Sequence, residues 1–133
     1  MPKFGSKSNQ RLSTCHEDLI DLFNEVIKYF DCSVLEGHRN EEDQNKYFEE
    51  GKSKVKFPKG KHNASPSNAV DVVPYPVDWN DTDRMYYFAG IVKGIAATME
   101  INIRWGGDWN NDTQVKDTKF KDLPHFELKE ERF

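Results

Sequence analysis

Cysteine is scarce in this chain of 133 residues, and the two cysteines present, Cys15 and Cys32, do not form a C-x-x-C pair. A cysteine-based zinc finger or a disulfide framework needs more cysteines at regular spacings. Each cysteine lies in or beside a segment that we expect to reach the core, where a thiol behaves as a small apolar group. The sequence therefore predicts two free, buried thiols.

Long apolar runs are also missing. No stretch of about 18 apolar residues is present, so we expect no membrane insertion. The first residues, MPKFGSKSNQRLSTCHEDL, contain no apolar core of a signal peptide. We therefore expect the protein to fold in a cytoplasm, and to depend on another component for delivery if it acts outside.

The chain also has no excess of positive charge. The net charge is −4, which provides no electrostatic footprint for nucleic acid and makes a neutral or cationic target easier to accept. Charged residues make up 32% of the chain and aromatic residues 13%, a balance that favours a soluble folded domain over a disordered segment. At this length we expect one domain, residues 1–133.

The spacing of apolar residues predicts three helices and four short strands. We expect helices over residues 14–30, 40–51 and 82–99, the first opened by a capping box between Thr14 and Glu17 and the second capped by Asn40. We expect strands over residues 32–38, 69–73, 101–105 and 124–128, and a loose arm over residues 1–12. The order α-β-α-β-α-β-β predicts an α+β fold, in which a small antiparallel sheet carries the functional site and the helices pack on one side.

Two histidines and two aspartates stand out as candidate site residues. His62 and Asp71 lie in GKHNASPSNAVDVVPY (residues 60–75), and Asp122 and His125 lie in KDLPHFEL (residues 121–128). Two imidazoles and one carboxylate can hold a zinc ion and leave a fourth position for water, and Asp122 could serve as the base for that water. An isolated histidine is more often a surface or hydrogen-bonded residue, which is how we interpret the other two, His16 and His38.

The segments PSNAVDVVPY, RWGGDW and DLPHFEL give the chain a resemblance to a known family. From about residue 34 to residue 128 it resembles the D-alanyl-D-alanine carboxypeptidase and L-alanyl-D-glutamate endopeptidase family of zinc peptidases, and especially phage endolysins of the VanY type. The resemblance implies that His62, Asp71 and His125 are zinc ligands. It also implies that Asp122 is the catalytic acid/base and that Arg39 steadies the scissile carbonyl oxygen.

Two departures from the family pattern concern the segment between the first two implied ligands. Eight residues separate His62 from Asp71, where the family usually has six. Ser67 replaces the usual glycine, and Gly60 replaces the usual serine before the histidine. We therefore expect a longer loop between these two ligands.

The resemblance implies a zinc-dependent peptidoglycan peptidase that hydrolyses an amide bond of the stem peptide. We expect an L-alanyl-D-glutamate endopeptidase acting as a monomeric phage endolysin, made in the host cytoplasm and released to the cell wall through a membrane pore. A D-alanyl-D-alanine carboxypeptidase is the alternative activity. A non-catalytic, zinc-containing wall-binding module is the alternative of another class, although Asp122 argues against it because a pure binder needs no base.

Two further patterns allow more than one interpretation. Asp108, Asn110, Asp112 and Gln114 recur at every second position, as in a calcium loop, but the glycine and the glutamate that such a loop needs are missing, so we interpret residues 108–114 as a solvated acidic turn. Glu127 alternates with His125 on the last predicted strand. It either binds the outer nitrogen of that histidine or lies at the surface.

Overall fold

Four helices and one four-stranded antiparallel sheet make up residues 2–129, the part of the chain that the computed structural model describes. The predicted α+β class is confirmed. The helices are α1 (Ser6–Leu12), α2 (Glu17–Val26), α3 (Glu41–Glu49) and α4 (Thr82–Thr98), with a short 3-10 turn at Lys61–Asn63. The strands are β1 (Cys32–Glu36), β2 (Ala69–Pro74), β3 (Ile103–Gly106) and β4 (Asp122–Leu128).

The order of strands across the sheet is β1-β2-β4-β3, and every neighbouring pair is antiparallel. The last of the described strands, β4, therefore lies inside the sheet between β2 and β3. Its register places His125 directly opposite Asp71 and Phe126 opposite Val70.

Alternation along the strands separates an apolar face of the sheet from a polar one. Val70, Val72 and Phe126 belong to the hydrophobic core, and the residues between or beside them, Asp71 and His125, point to the opposite face. The polar side chains that we predicted as site residues therefore share one face of a sheet whose other face is buried.

Aromatic packing on the apolar face holds β4 against two helices. The ring of Phe126 meets the edge of Phe23 from α2 at 5.5 Å and that of Phe88 from α4 at 6.1 Å between centroids. Phe126 has no exposed surface, and burial of such a side chain contributes about 1.5–3 kcal/mol. This packing fixes the strand that carries His125.

The loose arm predicted for residues 1–12 is wrong over residues 6–12, which form α1. Two polar groups of this helix bind the backbone of β1: Arg11 Nη1 donates to Val34 O at 3.1 Å, and Ser8 Oγ accepts from Val34 N at 3.0 Å. Leu12 is buried in the core. The helix covers the free edge of β1 through hydrogen bonds, which an apolar pattern does not reveal.

The observed ends of the helices differ most from the predicted ones at α2, where the sequence predicts residues 14–30 and the helix spans Glu17–Val26. Thr14 does not form a capping box with Glu17: its hydroxyl donates to Arg11 O and accepts from His38 N instead. His16 caps the helix instead, with Nδ1 accepting from Asp18 N at 3.0 Å. None of the described helices is both long enough and apolar enough to cross a membrane.

Candidate metal centre and cleft

Three ligand atoms converge on the polar face of the sheet. His62 Nε2 lies 3.2 Å from Asp71 Oδ1 and 3.2 Å from His125 Nδ1, and His125 Nδ1 lies 3.3 Å from Asp71 Oδ1. The strand register aligns Asp71 with His125, and the 3-10 turn at Lys61–Asn63 presents His62. The three residues that the sequence singled out are therefore brought to one point.

The dimensions of this triangle fit a tetrahedral metal ion. Ligands about 2.0–2.1 Å from a common ion lie roughly 3.3–3.4 Å from one another at tetrahedral angles. The observed separations of 3.2–3.3 Å match this value. Within residues 2–129, this is the one group of histidine, cysteine or acidic side chains placed closely enough to hold a metal ion.

A backbone carbonyl orients His62. Its Nδ1 lies 2.7 Å from Gly37 O, so this nitrogen carries the proton and donates it, leaving Nε2 free as a ligand. Glycine is required at position 37, because a Cβ there would meet Thr14 Oγ1 at 2.3 Å and Arg11 O at 2.4 Å. The eight residues between His62 and Asp71 therefore leave His62 in the cluster.

Glu127 orients His125 in the same way. Glu127 Oε1 accepts a hydrogen bond from His125 Nε2 at 2.8 Å, which leaves Nδ1 facing the cluster. The carboxylate is buried and also accepts from Arg104 Nη2 at 2.7 Å. Of the two sequence interpretations of Glu127, the hydrogen-bonded one is therefore confirmed.

The charges of the cluster favour a bound cation. Burial would raise the pKa of Asp71, but attraction to His62 and close polar contacts with both imidazoles outweigh it and hold that pKa well below its usual range. Burial would likewise lower the pKa of His125, yet hydrogen bonds to Asp71 and Glu127 raise it to about 9. The surrounding carboxylates thus favour positive charge at this point.

Asp122 lies at the edge of the cluster, where β4 begins. Its Oδ2 is 3.9 Å from His125 Nδ1, and a third of its side chain remains exposed to the cleft. Burial, followed by the negative charge of Asp71, raises the pKa of Asp122. Asp122 is therefore a carboxyl group that takes up a proton more readily than an ordinary aspartate.

Arg39 also lies beside the cluster. Its Nη2 is 3.8 Å from Asp71 Oδ2, its Nε donates to Glu36 Oε1 at 2.6 Å, and its Nη1 donates to Gln44 Oε1 at 3.0 Å. Nη2 also pairs with Glu36. A guanidinium has five N–H donors, so one hydrogen on each terminal nitrogen is left over after these three bonds.

The cluster opens into a cleft of about 880 Å³. Four aromatic side chains line it: Tyr47, Trp79, Trp109 and Phe120. The Trp109 ring is 5.4 Å from the His125 ring, while Trp105 is buried in the core. The cleft is large enough for several residues of an extended peptide.

Gln44 lines the cleft, although its place on a predicted helix favours simple packing in the core or at the surface. It is fully buried in the wall of the cleft, and its Oε1 accepts from Arg39 Nη1 at 3.0 Å and from Asn63 Nδ2 at 3.3 Å. One amide therefore connects Arg39 to the turn that carries His62. The only signal in the sequence was its place in a helix with a well-defined cap at Asn40.

The remaining candidates lie away from this centre. Cys15 and Cys32 are free and buried, as predicted. His38 is exposed outside the cluster. In the acidic turn, the Asp108 carboxylate accepts from the backbone N–H groups of Asp112 at 3.2 Å and Thr113 at 2.9 Å.

Comparison with known proteins agrees with this geometry. The family model of phage L-alanyl-D-glutamate peptidases matches residues 1–129. The crystal structure of the Serratia marcescens L-Ala D-Glu endopeptidase ChiX is similar, with a TM-score of 0.76 and 28% sequence identity over 96% of this chain and 90% of that chain. The chain therefore belongs to the phage L-alanyl-D-glutamate peptidase family and is a peptidase.

Proposed function

We propose that this protein is a zinc-dependent endopeptidase that hydrolyses the amide bond between L-alanine and D-glutamate in the peptidoglycan stem peptide. One observation carries the proposal. The triangle formed by His62, Asp71 and His125 opens into a peptide-sized cleft with Asp122 at its edge. Family membership and the similarity to ChiX support the choice of bond.

Zinc is the metal that suits this donor set. Two imidazole nitrogens and one carboxylate oxygen are typical of catalytic zinc sites, which leave a fourth position open. When bound, zinc lowers the pKa of water and polarises a carbonyl group. Gly37 O and Glu127 hold the two histidines so that their ligand nitrogens point to the same place.

Asp122 would carry a proton from the attacking water to the leaving amine. Its raised pKa brings it closer to the range in which a carboxylate can accept a proton from water and return it to a leaving amine. Its place beside His125, with part of the side chain open to the cleft, suits this role.

Arg39 would stabilise negative charge on the carbonyl oxygen. Its bonds to Glu36 and Gln44 fix the plane of the guanidinium, and two donor hydrogens remain for a substrate. Donors that are held in place before the reaction stabilise the developing oxyanion without reorganising.

We also propose that the enzyme acts as a phage endolysin. In this role it would be made in the host cytoplasm as a monomer and reach the wall through a membrane pore. Family membership supports this proposal.

Digestion of purified peptidoglycan tests the bond specificity. We expect new N-terminal glutamate among the products. Release of free D-alanine alone would instead identify a carboxypeptidase.

The Asp122→Ala variant tests catalysis against simple binding. We expect it to retain zinc and to lose roughly 10²–10⁴-fold in rate, the usual contribution of a positioned acid or base. Asp21→Ala, at an exposed position on α2, is the matched control and should remain active. If wild type and Asp122→Ala both bind cell walls and leave them intact, the protein is a binding module and the proposal is wrong.

A further inference from the structure

The segment of residues 52–61, which we name the lysine segment, has an unusual charge for this protein. It contains five lysines and no acidic residue, in a chain whose net charge is −4. Four of these lysines line the cleft: Lys52, Lys54, Lys59 and Lys61. One side of the cleft is therefore strongly basic.

Hydrogen bonds to α3 hold the lysine segment in place. Gln44 Nε2 donates to Val55 O at 2.7 Å and to Ser53 Oγ at 2.9 Å. Asn45 Oδ1 accepts from Phe57 N at 3.1 Å. The residues on both sides of Lys54, Ser53 and Val55, are thus tied to α3, which limits where the Lys54 side chain can reach before any ligand arrives.

Lys54 and Lys59 are the two lysines best placed to bind a ligand. Lys54 Nζ lies 4.9 Å from the centre of the Phe120 ring, which lines the same cleft. Across residues 2–129, neither lysine has a carboxylate within ion-pair distance, whereas Lys52 pairs with Glu50 at 3.3 Å. Their charges are therefore not neutralised by the described part of the protein.

The rest of the cleft disfavours an anionic group. Four carboxylates line it around the candidate metal centre, Glu36, Asp71, Asp122 and Glu127, and its two arginines, Arg39 and Arg104, already pair with Glu36 and Glu127. A substrate carboxylate placed beside them would be repelled, so the basic side is where it can be accommodated.

Peptide chemistry supplies such a group. A glutamate whose amine takes part in the scissile amide has two carboxyl groups. One of them continues the peptide, and the other stays free and ionised at neutral pH. We propose that Lys54 and Lys59 bind this free carboxylate and thereby distinguish a glutamate substrate from its neutral amide. The inference rests on the proposed endopeptidase function.

Two synthetic stem peptides test it, one with the free carboxylate and one with that group converted to a carboxamide. Wild type should have the higher kcat/KM on the acid. The Lys54→Gln/Lys59→Gln double variant should lose roughly fivefold to tenfold on the acid, mainly through KM, and little on the amide, since exposed charge pairs contribute modestly. The effect on the acid should weaken as salt is added.

Lys56→Gln is the matched control. Lys56 belongs to the same segment, but its Nζ lies 5.1 Å from the centre of the Phe48 ring on α3, and Lys56 is not among the residues that line the cleft. It should match wild type on both peptides. Thermal unfolding of all variants shows whether each is folded, and substitution of these exposed lysines should leave the Tm unchanged.

The outcomes separate the inference from the proposed function. An equal loss on both peptides would show a general attraction to anionic wall polymer and overturn the carboxylate assignment, and so would no loss on either. If folded, zinc-loaded wild type cleaves neither peptide nor peptidoglycan, the proposed function fails and this inference fails with it.

Discussion

Asp71 and His125 are register partners on neighbouring antiparallel strands, and their Oδ1 and Nδ1 atoms lie 3.3 Å apart. Backbone hydrogen bonds of the sheet therefore fix two of the three candidate ligands. The third, His62, comes from a turn, and its position depends on the hydrogen bond to Gly37 O. Rigid elements hold ligands more precisely than loops, so we expect His62 to be the ligand most easily disturbed.

Removal of His62 should remove the metal. We expect wild type to bind about one zinc ion per chain, and His62→Ala to lose most of that affinity because a catalytic site has only three protein ligands. A chelator should lower the Tm of wild type, because an ion that binds only the folded state stabilises it, and should leave His62→Ala unchanged. Elemental analysis and thermal unfolding measure both effects. His38→Ala, at an exposed histidine outside the cluster, should behave as wild type; equal metal content in the two variants would contradict the site.

Glu127→Gln tests whether the Glu127 carboxylate orients His125 through its hydrogen bond to Nε2. We expect metal affinity to fall about 10- to 100-fold, the usual effect of losing a carboxylate that orients a ligand histidine. Arg104→Gln is the control, since it removes the other partner of Glu127 and leaves the bond to His125 intact. Competition with a chromophoric chelator gives both affinities. If Arg104→Gln weakens binding as much as Glu127→Gln does, the orienting role is wrong.

Gln44→Met keeps the size of this buried side chain and removes its four hydrogen bonds. We expect a loss of stability of about 1–3 kcal/mol for each polar partner that stays buried and unpaired. We also expect a larger fall in kcat than in metal content, because Arg39 loses a partner while the three ligands remain. Gln10→Met, at an exposed position on α1, is the control. Unchanged kcat in a folded Gln44→Met protein would show that the residue only supports the structure.

Cys32 should make stability fall at alkaline pH. Burial, and then the nearby charge of Asp31, raise the pKa of its thiol from 9.0 to about 12. Below pH 9 the thiol is protonated in both states, whereas between pH 9 and about 12 it ionises only in the unfolded chain, so stability is lost as the pH rises. By pH 10.5 the loss is about 2 kcal/mol. Urea unfolding of wild type and Cys32→Ala near pH 8 and pH 10.5 measures this loss. Between the two pH values, the free energy of unfolding should fall by about 2 kcal/mol less in the variant than in wild type. Equal falls in the two proteins would contradict the raised pKa of Cys32.

Periodic apolar residues made much of the fold predictable. Residues such as Leu22 and Phe23 on α2, and Phe88 and Val92 on α4, face one core, and their spacing marks both helices. The candidate metal site could be predicted because its three residues, His62, Asp71 and His125, stand in short, recognisable segments. Their convergence depends on strand pairing, which places Asp71 opposite His125.

Features that depend on hydrogen bonding could not be predicted in this way. Helix α1 has Leu12 as its buried residue and is attached through Ser8 and Arg11, so its sequence resembles that of an exposed arm. Gln44 is polar, and only its surroundings show that it is buried. Long-range polar contacts leave no periodic trace along a chain.

The strand order has a consequence for how the protein is synthesised. β4 follows every other described element in the chain, yet it occupies an interior position in the sheet. Until residue 128 has emerged from the ribosome, a nascent chain lacks β4, the strand that connects β2 to β3 in the sheet. It also lacks His125, the second imidazole of the candidate site. The candidate site can therefore form only after residue 128 has left the ribosome.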